Sequence, residues 1–303
     1  MTCDLTAPEF TDEIAAVAHM ETSRWPNGAS CPHCASDNVR KMETGKQAGM
    51  FLCNACREKF TVRTGTVFER SHIPLHKWLI AMHLMAASKK GISAHQLHRM
   101  LGITYKSAWF MAHRIREAMA PAKNDAKLGG EGRIVEADET EIVPSRKTKG
   151  ARVRANNPKF MSLIERGGAA RSKMIDGAST REIKGAIVKH VDPNSIMHTD
   201  GARVYKGLWM AADHEAVDHD KEYARNGRTG RVHINSAEGF FSLFKRGLVG
   251  IYQHMSEHHL PRYLAEFDFR YSNRMRLGFG DAERAARILK GAEGKRLTYQ
   301  QPR

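Results

Sequence analysis

Arg133-Ile-Val-Glu-Ala-Asp-Glu-Thr-Glu-Ile-Val143 is the stretch on which the fold turns. Its apolar and polar residues alternate, which is the period of a strand with one buried face. Glu136 and Asp138 then share one face, while Glu139 and Glu141 share the other. Downstream, Phe160–Glu165 and Ala170–Ile175 flank Gly167-Gly168 and read as a hairpin. Thr180–Val191 has helical spacing, Ser195–Thr199 is a short strand, Gly201–Met210 is expected to be helical, and Glu215–Asp218 is a further strand. Asn235–Gly247 and His258–Asn273 close the series as helices. The order β-β-β-α-β-α-β-α combines an antiparallel hairpin with crossover units, so an α/β domain with a mixed sheet is expected.

Upstream the pattern differs. Residues 1–28 are expected to hold an amphipathic helix whose apolar positions are Phe10, Ile14 and Val17. Residues 63–120 read as helical: Leu75–Ser88, then Ala94–Leu101, then Tyr105–Met119 after a tight Gly102-Ile103-Thr104 turn. Two helices joined by a short glycine turn give a helix-turn-helix-like domain. The third helix offers Lys106, Arg114 and Arg116 as candidate contacts to DNA, although a plain helical bundle has the same pattern. Residues 121–132 are polar, contain Gly129-Gly130 and read as a linker to a core spanning 133–275; residues 276–303 are left as a C-terminal tail.

The chain has 303 residues, with 48 Lys and Arg against 33 Asp and Glu, a net charge of +15. That balance favours a polyanionic partner such as nucleic acid. No apolar run is long enough to span a membrane. Met1–Phe10 carries acids in place of a basic start and an apolar stretch, so a signal peptide is not expected. These features point to a cytoplasmic protein associated with the nucleoid.

Four of the five cysteines form two pairs, Cys31-Pro-His-Cys34 and Cys53-Asn-Ala-Cys56, within residues 29–62. Two Cys-x-x-Cys knuckles at this separation suit a tetrahedral four-thiolate Zn²⁺ site, hence a zinc ribbon. A module this small lacks core, so the metal supplies its folding energy.

Three acids are candidates for a second metal centre. Asp138 lies in the strand quoted above, Asp200 follows Ile196-Met-His-Thr199 at a strand end, and Glu238 opens the helix Ser236–Lys245. Hard divalent cations such as Mg²⁺ or Mn²⁺ take carboxylate oxygens. Helical spacing buries Ala237, Phe240, Phe241, Phe244 and Leu248 and leaves Glu238, Ser242 and Lys245 on a flanking face. A purely structural reading competes: Asn235-x-x-Glu238 has the form of a capping box. Arg146, Lys147, Lys149, Arg152 and Arg154, with Arg225, Arg228 and Arg231 and with Lys245 and Arg246, are candidate phosphate contacts.

Four stretches, Val135-Glu-Ala-Asp-Glu-Thr140, His198-Thr-Asp-Gly201, His233–Gly247 and Tyr252–Arg274, together with the ribbon, resemble the DDE transposases of bacterial insertion sequences, in the ISXO-like group with an N-terminal zinc ribbon. The resemblance covers about residues 10 to 275. It implies an RNase H-like catalytic core with Asp138 and Asp200 as metal ligands. It also implies Glu238 with Lys245 as a Glu-x6-Lys pair, with Asn235 as the rival third position. Where the group often has Gly-Gly after the first acid, this chain has Val143-Pro-Ser145. The activity implied is binding of terminal inverted repeats in double-stranded DNA, metal-dependent nicking and strand transfer, with two copies assembled on DNA. A DNA-binding regulator without catalysis, or a nuclease of the same fold without strand transfer, are the competing functions.

Overall fold

The structure is a computed structural model that describes residues 4–43, 49–122, 125–142, 157–177, 179–208, 213–218 and 221–298. The chain divides into two compact units, one formed by Met1–Ala120 with Phe279–Arg303, the other by Pro121–Gly278.

The first unit opens with two helices, α1 (Pro8–Thr11) and α2 (Glu13–Arg24), where one was expected. Asp12 causes the break: its side chain accepts from the Ala15 backbone and caps α2. The buried face is correspondingly Ala16 and Met20, and Ile14 is 81% exposed. Three short strands follow, β1 (Val39–Lys41), β2 (Phe51–Cys53) and β3 (Lys59–Phe60), paired antiparallel in that order. Phe51 and Phe60 stack, with Trp25 set edge-on to both, so a small aromatic cluster backs the cysteines. Helix α3 (Leu75–Ala87) buries Leu75, Trp78, Met82 and Met85. Helices α4 (Ala94–Leu101) and α5 (Tyr105–Met119) are separated by Gly102 at φ +60°, and Thr104 caps α5 through its hydroxyl.

The second unit is built on a five-stranded sheet of β4 (Ile134–Glu141), β5 (Lys159–Glu165), β6 (Ala170–Ile175), β7 (Ile196–Asp200) and β8 (Asp213–Val217). Its strand order is β6-β5-β4-β7-β8, with β4–β5 and β5–β6 antiparallel and β4–β7 and β7–β8 parallel. This is the mixed sheet of the α/β domain expected from the sequence. Helix α6 (Thr180–His190) covers one face: Ile183, Ala186 and Ile187 join Val135, Ala137, Met161, Leu163 and Met197. A small hairpin, β9 (Arg225–Gly227) and β10 (Gly230–Val232), precedes the next helix. Helices α7 (Asn235–Gly247) and α8 (Leu260–Ser272) cover the other face, where Phe240, Phe241, Phe244 and Phe267 meet Phe160 and Ile164. Gly201–Met210 departs from expectation: only Arg203–Tyr205 winds, as one 3-10 turn, and residues 209–212 lie outside the described ones. Leu128, read as linker, is buried in the α6 layer and bridges Val191.

The last helix, α9 (Asp281–Lys290), belongs to the first unit. The Val67 backbone donates to Ala292 and the Gly294 backbone to Gly65, at 3.1 and 2.9 Å. Among the described residues no helix is long and apolar enough to cross a membrane.

Candidate active site and zinc centre

The four cysteines converge. Cys31 and Cys56 Sγ lie 3.6 Å apart, as do Cys34 and Cys53, and all four sulfurs fall within 4.8 Å of one another. Tetrahedral Zn–S bonds of about 2.3 Å require sulfurs roughly 3.8 Å apart, so the set fits Zn²⁺. Each knuckle folds the same way. The residue after its second cysteine, Ala35 or Arg57, has a left-handed backbone at φ 60° and 65°. Its N–H donates to the first cysteine's carbonyl at 2.9 or 3.0 Å. Backbone N–H groups of Cys56 and Ala55 pull the Cys53 thiol down to about 7, toward the thiolate that a metal needs.

In the second unit, β4 and β7 run parallel with Ala137 opposite Thr199, so the next step sets Asp138 beside Asp200 on the same sheet face. Helix α7 lies over that face and brings Glu238, Ser242, Lys245 and Arg246 to a cleft of about 720 Å³ that Asp138 and Glu139 also line. Burial pushes the Asp138 carboxyl up to about 7, and the Asp200 charge pushes in the same direction, with lesser contributions from Glu139 and Glu238. Unneutralised like charges held this way are relieved by a divalent cation. The acids are spread more widely than the cysteines. Among the described residues, only the cysteines place three or more potential ligand atoms all within 4.8 Å of each other. The Tyr205 hydroxyl donates to the Glu139 carboxylate.

The capping box proves to be something else. Position 234 carries no side-chain cap for α7. The buried Glu136 supplies it from β4: its carboxylate accepts from the backbones of Ser236 and Ala237 at 2.7 and 3.1 Å and from the Ser236 hydroxyl at 3.0 Å. Glu238 is thereby relieved of a capping role. Arg166 donates to the same carboxylate at 2.9 Å and reaches the Nδ1 atoms of His198 and His233 at 3.1 and 3.3 Å. Burial and the Arg166 charge hold His198 down at about 4, which leaves it neutral and able to accept. Glu136 was visible in the sequence only as a neighbour of Asp138 on one strand face; its tie to a helix 100 residues away has no local signature.

The candidate phosphate contacts separate by position. Lys106, Arg231, Lys245 and Arg246 are exposed. Arg114 and Arg116, expected on the DNA face of α5, are instead 8% and 2% exposed. Arg114 donates to the carbonyls of Glu69 and Leu297 at 3.0 and 3.2 Å, so it anchors the fold. Arg225 is held by the Ala216 carbonyl and Glu215, and Arg228 by Asp213 at 2.7 Å. Arg146, Lys147, Lys149, Arg152 and Arg154 lie outside the described residues.

Known proteins resemble this chain along most of its length. Residues 127–272 match the family described as the ISXO2-like transposase domain, and residues 11–59 match the transposase zinc-ribbon domain. A Halobacterium salinarum protein, described as an uncharacterized protein in transposable element ISH50, is 29% identical over 278 residues, which are 86% of this chain and 91% of that protein. Among solved structures, the catalytic core domain of BIV integrase aligns over 44% of this chain and 80% of its own, at 10% identity and a TM-score of 0.26. A chain from the structure of the simian T-cell lymphotropic virus intasome in complex with PP2A regulatory subunit B56 gamma aligns over 57% of this chain and 63% of its own, at 11% identity and a TM-score of 0.28. The two matched stretches together span more than half of the sequence and carry the ribbon and the acids described above; over those stretches the chain matches the transposase zinc-ribbon domain and the ISXO2-like transposase domain.

Proposed function

We propose that the protein cuts and joins DNA at the ends of its own element. The observation that carries this reading is the grouping of Asp138 and Asp200 on adjacent parallel strands, with Asp138 lining a cleft that α7 lines with Glu238 and Lys245. Asp138, Asp200 and Glu238 would hold Mg²⁺ or Mn²⁺, which supplies charge stabilisation at phosphorus and favours ionisation of the attacking oxygen. Exposed Lys245 and Arg246 both stand about two turns beyond Glu238 and hold the scissile phosphate by charge.

The first step is hydrolysis. A water oxygen bonds to phosphorus, the P–O3′ bond opposite it breaks, the water gives up a proton and the departing oxygen gains one to become a 3′-hydroxyl. In the second step this hydroxyl attacks a phosphodiester of target DNA in line, and the target's own 3′-oxygen leaves. Phosphodiester bonds are conserved in the second step, so no energy source is required. The ribbon and the α4–α5 pair bind the terminal inverted repeats, and joining two ends calls for two copies of the chain on DNA.

Asp138→Ala and Asp200→Ala test the reading on duplexes carrying the DNA that flanks the coding region. Each should lose Mg²⁺-dependent nicking by about a thousandfold or more while binding the duplex as the unaltered protein does. Normal cutting by either variant would overturn it. Nicked ends that never join supplied target DNA would reduce the activity to a nuclease.

A further inference from the structure

Each of the three acids is tied to Glu136 or Arg166 through its own chain neighbours. Glu136 precedes Asp138 by two residues on the same face of β4 and is fully buried. His198, also fully buried, precedes Asp200 by two residues on β7. The backbone of Ala237, adjacent to Glu238, donates to Glu136. The Arg166 guanidinium joins these points: Nε donates to Glu136 at 2.9 Å, and Nη2 donates to His198 Nδ1 at 3.1 Å and to the His233 carbonyl at 3.0 Å.

We propose that Glu136, held by Arg166, is a positioning residue that fixes the start of α7 and so sets where Glu238 stands relative to Asp138 and Asp200. A local cap would serve helix stability equally well. A cap drawn from the strand that carries the first acid does something further, since it ties the helix terminus to the same backbone as Asp138. A carboxylate buried in the core is costly unless its oxygens are satisfied. Here they receive four bonds, three of them from one turn of α7. Ligands on separate elements need such support, because a displacement of about 1 Å at a reacting centre costs on the order of a hundredfold in rate.

This inference rests on the reading of the acids as the cutting centre, and the experiment separates the two. Full-length Glu136→Gln keeps the shape of the side chain and one acceptor oxygen but loses the charge and one pair of acceptor sites. The expected result is a folded protein with unchanged DNA affinity. Its cleavage rate at saturating Mg²⁺ falls about tenfold or more. Its half-saturating Mg²⁺ rises, and hydrogen exchange at the Ser236 and Ala237 amides speeds up about tenfold. A protein stabilised by Glu136 but not positioned by it would keep its rate per folded molecule and its Mg²⁺ requirement, and that result would overturn the proposal. So would unchanged exchange at the two amides. Ser236→Ala, which removes only the hydroxyl bond, provides the same comparison if the Gln variant does not fold; it should raise half-saturating Mg²⁺ severalfold, and no change would count against the proposal. Asp138→Ala run alongside tests the underlying reading: if that variant cuts, the acids are not the centre, while the amide exchange of Glu136→Gln still reports whether the cap holds α7.

Discussion

At the scale of single residues, the acids conflict with the stability of the fold that holds them. Asp138 is raised to about 7 from an ordinary 3.8, first by burial and then by Asp200. Between those two values the folded chain binds more protons than the unfolded one, so stability falls as pH rises from about 4 to about 7 and is level above. Asp268, buried on α8 against Ser172, is also raised to about 7 and adds a slope of the same sign. Asp138→Asn should therefore stabilise the 121–278 unit at pH 8 without added Mg²⁺, by up to about 4 kcal/mol for a shift of roughly three units, while abolishing nicking. Urea unfolding at pH 5 and pH 8 checks this; a variant no more stable than the unaltered protein at pH 8 would refute it. Mg²⁺ should stabilise the unaltered chain and leave the Asn variant nearly unmoved. Strand alternation placed Asp138 on one face of β4 and helical period placed Glu238 and Lys245 on one flank of α7, while their joint reading as a centre came from the family resemblance. The cap beside them was not legible, because Glu136 acts across a long sequence separation; in the first unit, likewise, the burial of Arg114 depends on a carbonyl at position 297.

At the scale of elements, alternation and helical period located most strands and helices because one face of each is buried against a single core. The readings that failed did so where a local polar residue or a backbone detail overrode the period. Asp12 split the first helix by capping the second, and Gly201–Met210 gave one turn in place of a helix. The zinc ribbon shows what period cannot reveal. Its two knuckles share a left-handed residue after the second cysteine, and neither residue is a glycine. A non-glycine residue there costs roughly 1 kcal/mol, part of which glycine gives back as chain entropy in the unfolded state. Ala35→Gly and Arg57→Gly should therefore hold or modestly raise zinc affinity, by up to about fivefold, whereas Ala35→Val should lower it about tenfold, since a β-branched side chain fits this conformation worst. Competition with a chromogenic chelator measures all three. Full removal of zinc should unfold β1–β3, because Phe51, Phe60 and Trp25 alone form too small a core.

At the scale of the whole molecule, the chain leaves the first unit at Ala120, builds the second unit and returns at Phe279. The returning segment read as a tail because α9 is rich in charge, with Arg284, Arg287 and Lys290 along Asp281–Lys290, and its apolar content is mostly alanine. Alanines allow close approach. Ile288 and Ala292 are fully buried, and a Cβ placed on Gly291 would stand 2.3 Å from the Ala118 carbonyl at the end of α5. Because Gly291 has an ordinary helical backbone at φ −71°, a substitution there tests packing and not backbone strain. Gly291→Ala should lower the stability of the first unit by about 1–3 kcal/mol, the usual cost of overpacking, and leave the unfolding of the second unit unchanged. Deleting residues 279–303 should go further, exposing Val67 and the α3 face and weakening duplex binding through loss of the first unit. Residues 121–278 produced alone should fold with a single cooperative transition, since their sheet and both helical layers lie within that span. The decisive comparison is calorimetry of the three proteins. A deletion that leaves both transitions in place would show that the returning helix is only an attachment, and a 121–278 fragment without a transition would show that the two units fold as one.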